Sequence, residues 1–201
     1  MSLSPSELPL FPLNTVLFPG TRLPLKVFEA RYMDMVRNCM RESTAFGVCL
    51  IAEGSEVGAP AVPHEVGTSA HIVEWDMAQL GVLHVAARGE QRFRILHRAT
   101  QPDGLIRAVV SWLDEPATTG IPQHFADIVP LLRAVVSDAG ADAIPEPHDF
   151  ADANWVGYRY AEILPIPAKA KQKLLELEDP LLRLSILHEF LLQRGLLKPA
   201  A

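Results

Sequence analysis

His188-Glu189 begins as the zinc-binding pattern H-E-x-x-H begins, with a metal ligand beside a general base on one helix, but Phe190-Leu191-Leu192 follow and the second histidine is missing. Gly67-Thr68-Ser69-Ala70 starts like G-x-S-x-G and lacks its second glycine, so Ser69 is expected on a strand and not at the sharp turn that exposes a nucleophile. No G-x-x-x-x-G-K-[ST] is present to cradle phosphates on glycine-rich backbone. His64, His71, His84, His97, His124 and His148 are scattered singly, a spacing that supports no metal site, although distant residues can converge in a fold. Glu176, Glu178 and Asp179 cluster where helices meet, which suits capping and solvation. In RFRILHR the side chains of Phe93, Ile95 and His97 alternate with Arg92, Arg94 and Arg98. The arginines could grip a phosphate backbone, but the preferred reading is the solvated face of a strand that resists edge-to-edge pairing. The expectation is a protein with no catalytic residue, cofactor or metal, which hydrolyses neither ATP nor peptide bonds.

With catalysis set aside, the informative stretch is Leu8 to Tyr32, LPLFPLNTVLFPGTRLPLKVFEARY. Pro9, Pro12, Pro19 and Pro24 fix their own backbone torsions and push the preceding residues into extended geometry, so no helix can start before the last of them. The apolar residues between them suit strands at the edge or closure of a small β-barrel. Pro19-Gly20 fits the central positions of a type II turn, with Gly taking the positive torsion. Proline-bearing edge strands leave backbone donors and acceptors unpaired, which is where an extended peptide could add main-chain hydrogen bonds. The candidate binding residues are therefore Phe18, Pro19, Leu25, Phe28, Arg31 and Tyr32, with Arg31 and Tyr32 expected to flank the edge with a charge and a hydroxyl. The competing reading is that Phe18, Leu25 and Phe28 are core residues closing the barrel. If that holds, the Glu53–Glu65 loop is the next place to look for the site.

The elements that would position this edge follow in order. After Phe28, Tyr32, Met35, Val36, Cys39 and Met40 recur at helical spacing, a stripe that packs on the barrel. Ala45–Ala52 reads as a buried strand, and Glu53–Glu65, with Gly54, Gly58, Pro60 and Pro63, as a long exposed loop. From Val66 to Leu113 the pattern is a meander: one alternating strand, a turn near Gln79–Gly81, VLHVAARG, then Arg92–His97, and Ile106–Leu113 after a turn at Pro102-Asp103-Gly104. Past the segment Pro116–Pro122 the apolar period changes from two to nearly four, so the remainder is expected to be helical. Pro130 should kink the first of these helices or force its start nearby, and a loop runs from Ala139 to His148. A second helix runs from about Phe150 to Leu164, a third begins at Pro167, and a fourth begins at Asp179-Pro180, which reads as N-cap plus first-turn proline, with Gly195 as its stop.

Four segments in order resemble one family. The opening P-L-x-x-V-x-F-P-G, then L-P-L and F-E-x-R-Y, together with VGTSAHIVEWDM at Val66–Met77, GEQRFRIL at Gly89–Leu96 and QKLLELEDPLLRLSILHEFL at Gln172–Leu191, resembles the Lon protease N-terminal domain, especially its stand-alone relatives. The resemblance covers nearly the whole chain. It implies an α+β fold: a PUA-like β-barrel (pseudobarrel) with one packed helix over residues 1–116, then a helical bundle over 122–198. It also implies a role in binding polypeptide and not in cutting it, with exposed apolar segments of unfolded or partner proteins as ligands and a protease or chaperone as a further partner. The alternative is an RNA-binding PUA-like module, because such barrels resemble folds that bind RNA. A net charge of −6 and the lack of aromatics among the arginines, beyond Phe93, argue against nucleic acid. With 49% hydrophobic residues the chain can form a substantial core, yet no apolar run is long enough to span a bilayer. Two isolated cysteines, Cys39 and Cys49, and the lack of a leader pattern at the N-terminus point to a reducing, cytoplasmic location, and homo-oligomers are compatible with all of this.

Overall fold

The prolines of the opening stretch hold it extended, and each finds a position that tolerates it. In the computed structural model, which describes residues 6–115, 117–140, 144 and 146–197 and all their side chains except those of Ala78 and Gln79, the first strand β1 is Ser6–Leu13. Its first half, Ser6 to Leu10, pairs antiparallel with β7 (Ile106–Trp112), and its second half, Leu10 to Leu13, pairs parallel with β3 (Phe46–Glu53). Pro9 therefore has a ladder neighbour only on the β7 side and Pro12 only on the β3 side, so neither missing N–H interrupts a doubly paired position. At the turn Thr21 N–H donates to Phe18 O at 3.1 Å around Pro19 and Gly20, with Gly20 at φ 79°. The chain then enters β2, Arg22–Val27.

Two compact units make up the chain, Met1–Asp114 and Glu115–Ala201. In the first, α1 (Ala30–Glu42) follows β2, then come β3, the short β4 (Val62–Pro63), β5 (Val66–Gln79), β6 (Val82–Thr100) and β7. The pairing path runs β1-β7-β6-β5-β3 and returns to β1, with β4 added to β3 and β2 added to β6. The buried face of α1, with Tyr32, Met33, Met35, Val36 and Cys39, packs with Phe11, Leu25, Val27, Phe46, Leu83 and Val85. A second cluster gathers Leu8, Leu10, Cys49, Phe93, Ile106 and Val110.

Two expectations are corrected in β6. VLHVAARG and RFRILHR, read as separate strands, form one strand of 19 residues. Gly89, the last residue of the first segment, lies inside this strand: its N–H donates to Thr21 O at 2.9 Å and its carbonyl accepts from Gly20 N at 2.8 Å, so the Pro19-Gly20 turn lies directly on it. A Cβ at Gly89 would stand 2.5 Å from Phe18 O, and this close approach explains the glycine. The arginines of this strand also do not share a solvated face. Arg92 is fully buried and Arg94 half-buried, with Arg98 exposed: one register shift, between the pairs Ala70↔Gly89 and Thr68↔Arg92, changes which residues turn inward, and another, between Ile95 and His97, breaks the alternation again.

The second unit carries the 3-10 turn Gln123–Phe125 and helices α2 (Ile128–Ala139), α3 (Ala153–Ile163), α4 (Ala168–Glu176) and α5 (Pro180–Gln193). Among the described residues no strand beyond an isolated bridge follows Trp112. Pro130 lies in the first turn of α2, where its missing N–H costs nothing. Asp152 caps α3 by accepting from Asn154 N and Trp155 N, and Asp179 caps α5 by accepting from Leu181 N and Leu182 N, with Pro180 in the first turn. Helix α3 packs on α2, α4 and α5. Arg183 of α5, fully buried, stacks over the Tyr158 ring and donates from Nε to Leu174 O at 2.9 Å and from Nη1 to Asn154 Oδ1 at 2.6 Å. Of the segments singled out in the sequence, residues 1–5, Pro116, residues 141–143 and 145 of the Ala139–His148 loop, and Lys198 lie outside the described residues.

Candidate functional site

Among the described residues strand β2 pairs with β6 alone, from Arg22↔Arg88 to Val27↔Leu83, so its other side is an open edge. Leu25 and Val27 turn into the core while Pro24 and Lys26 are exposed, the alternation expected of a half-buried strand. Along the open edge runs a cavity of about 340 Å³. It is lined by the consecutive residues Leu23 to Glu29 and, from other segments, by Phe11, Leu13, Thr15, Glu56 and Val57. Phe28 (50% exposed) and Val57 (56% exposed) present apolar surface there.

The loop residues are held in place by polar contacts. Glu56 accepts from Asn14 N, and Gly58 N donates to Glu29 Oε2 at 3.4 Å. Arg31 completes the tie: Nη2 reaches Glu29 Oε2 at 2.9 Å and Gly58 O at 2.8 Å, and Nη1 reaches Gly104 O at 3.2 Å. One guanidinium thus joins the start of α1, the loop after β3 and the turn between β6 and β7.

The six residues proposed from the sequence separate accordingly. Leu25 and Phe28 line the cavity, and Pro19 sits half-buried in the turn that leads into β2. Phe18 is wholly enclosed. Arg31 and Tyr32 do not flank the edge with free polar groups, as the sequence suggested, because both occupy the inward face of the first turn of α1. The Tyr32 ring stacks on Phe11 at 4.1 Å between centroids, the Arg31 guanidinium lies 4.7 Å from its centre, and burial pushes the phenol above its ordinary pKa. The sequence does not single out Glu56 and Val57 individually; the only available signal is the length of their loop. Val73, Trp75, Met77 and Leu80, exposed on the β5–β6 hairpin, read in the sequence as ordinary strand and turn positions.

Of the groups considered for catalysis, Ser69, His188 and His71 have structural partners. Ser69 is buried on β5, its hydroxyl donating to Gln91 O and accepting from Gln91 N, both at 3.1 Å. His188 Nε2 lies 2.9 Å from Asp127 Oδ1 and packs beside Phe125, and His71 Nε2 lies 3.3 Å from Glu90 Oε2. What the open edge can do is exchange main-chain hydrogen bonds with an extended chain and bury apolar side chains beside it.

A family model describing the ATP-dependent protease La (LON) substrate-binding domain matches residues 7–193. The crystal structure of a Lon N-terminal domain protein from Xanthomonas campestris superposes with a TM-score of 0.77 at 35% identity, over 90% of this chain and 96% of that one. The N-terminal domain of a Mycobacterium avium complex Lon protease shares the fold at a TM-score of 0.67 and 20% identity, over 92% of this chain and 97% of that one. Among curated proteins, cereblon of Danio rerio is 32% identical over 116 residues, 56% of this chain and 26% of its own length. Lon protease 2 of Myxococcus xanthus is 25% identical over 202 residues, 93% of this chain and 24% of its own length. The chain thus spans about a quarter of the length of these curated relatives.

Proposed function

Because the chain belongs to the family of ATP-dependent protease La (LON) substrate-binding domains, we propose that it is a non-catalytic polypeptide-binding module whose docking place is the open edge of β2. The observation that carries the proposal is the coincidence of an unpaired strand edge with an apolar-lipped cavity along its length. An extended segment entering there adds a strand to β2 through its backbone, which makes binding tolerant of sequence. Its side chains bury against Phe28, Leu23 and Val57, which selects exposed apolar stretches such as those of unfolded or partner proteins. In this reading the returning path of strand pairings is the PUA-like pseudobarrel of the first unit, and α2 to α5 form the bundle of the second. Two free buried thiols, Cys39 and Cys49, suit a reducing, cytoplasmic setting.

The test is fluorescence anisotropy of labelled extended peptides, apolar and polar, and of an RNA pool, at low and high salt. Apolar-peptide binding should persist in salt, and Phe28→Glu and Val57→Glu should each weaken it about tenfold, the worth of half-burying one large apolar side chain. Both positions are exposed, so the melting temperature should hold. Tight RNA binding that falls steeply with salt would overturn the reading in favour of the nucleic-acid alternative. Peptide affinity indifferent to both substitutions would remove β2 as the docking place.

A further inference from the structure

Helix α5 is apolar on two sides. Leu184, Leu187 and Leu191 are buried in the second unit, and a separate stripe, Leu182, Ile186 and Phe190, recurs every fourth residue on another face, with Leu182 48% and Ile186 44% exposed. A helix that packs once needs one apolar face, so the second stripe calls for a further partner. Beside it lies a concave groove of about 600 Å³, walled by Ile186 and Phe190 on one side and by Leu164, Ile166, Ala170 and Leu177 on the other. The charged groups among its lining residues are Lys173 and Glu176, which neutralise each other at 2.8 Å. The groove thus offers no net charge to attract an acidic or basic ligand.

We propose that this groove receives an amphipathic α-helix of a partner protein, apolar face inward. Shape, charge and area together select that occupant. The rows of side chains on α4 and α5 leave a helical groove into which the i, i+4 ridge of another helix fits, and the lining comes from helices and their connectors with no β-strand among it, so an extended strand would find no ladder to join. A neutral, apolar lining is complementary to a Leu-rich face and not to a charged one. A second copy of this chain could place its own stripe here, but Leu182 to Phe190 spans only about 12 Å. Such a patch offers a few hundred Å², well short of the roughly 800 Å² per partner of a stable complex between folded proteins. Helix-in-groove recognition relies on a few side-chain anchors, and this groove supplies room for them. The proposal stands apart from the β2 edge and does not depend on it.

The experiment titrates the full chain with a labelled synthetic three-turn helix bearing Leu at i, i+4 and i+7 and alternating Glu and Lys elsewhere. The control has the same composition with two central prolines. Saturable binding of the helix in the micromolar range is expected, at least tenfold tighter than the control. Ile186→Lys and Leu182→Lys should each weaken it tenfold or more with the melting temperature unchanged, while Phe28→Glu should leave it intact. Equal affinity for the proline control, indifference to both lysine variants, or no saturation by the order of 0.1 mM would each overturn the inference. So would light scattering that finds a dimer lost in Ile186→Lys, since the occupant would then be a second copy.

Discussion

Replacing Arg31 by alanine asks whether the residue belongs to the binding surface or to the scaffold beneath it. The guanidinium is buried and makes three contacts, to Gly58 O, to Gly104 O and to the Glu29 carboxylate. The two carbonyls lie in turns that water reaches once the side chain is gone, so each bond contributes its net value of about 1 kcal/mol. The pair with Glu29 is less exposed than a surface bridge and is worth about 1 kcal/mol, with a further 0.5 or so from the Tyr32 ring face. The expected loss is therefore about 3.5 kcal/mol, which for a chain of this size lowers the melting temperature by roughly 7–14 °C. Arg31→Lys should recover part of it, since an ammonium retains the charge but cannot reach all three acceptors. Calorimetry and urea unfolding of both variants provide the measurement. A melting temperature within about 2 °C of the parent for Arg31→Ala would refute the scaffold argument. Peptide affinity lost in such a variant would return the residue to the binding surface.

Two further outcomes follow from close packing and from burial. Gly89→Ala must push its methyl against Phe18 O, and urea unfolding should register a loss of at least about 2 kcal/mol, whereas Gly120→Ala, with open space around it, should change little. Burial pushes the Cys49 thiol up to about 12, above its unfolded value near 9, so the folded state keeps a proton that the unfolded state releases. Stability from this group is intact below pH 9 and is lost as pH rises from 9 toward about 12. A series of melts over that range should show a decline that is shallower in Cys49→Ala, and equal slopes would contradict the assignment.

What can be seen in the sequence is what depends on neighbours along the chain. The Pro19-Gly20 turn, the Asp179-Pro180 start of α5 and the amphipathic stripe of α1 are set by residues a few positions apart, and the structure places each where local chemistry puts it. The continuity of β6 past Gly89 is not legible, because the reason for that glycine is the carbonyl of Phe18, on another segment, which nothing nearby announces. Arg92 misleads because the register shift between the pairs Ala70↔Gly89 and Thr68↔Arg92 reverses which face a side chain takes. The candidate site shows the same division. Proline in β2 marks an edge, but part of the lining comes from Glu56 and Val57, and the inward turn of Arg31 and Tyr32 depends on how α1 lies over the sheet. The Leu182, Ile186, Phe190 spacing is present in the sequence too, but four-residue recurrence alone cannot say which of two apolar faces is left uncovered.

The double engagement of β1 sets a timetable for folding. Ser6 pairs with Val110 and Leu13 with Leu50, so the earliest-made strand waits for partners from the middle and the far end of its unit. During synthesis at roughly 5–20 residues per second, the β3 partner emerges within seconds, whereas β7 takes several seconds longer, and for that interval one half of β1 has no ladder. Prolines at positions 9 and 12 suit that wait, because a strand with missing donors is a poor template for the wrong neighbour. The same residues that let the strand close its ring would thus also keep a nascent chain from pairing prematurely with another on the same message.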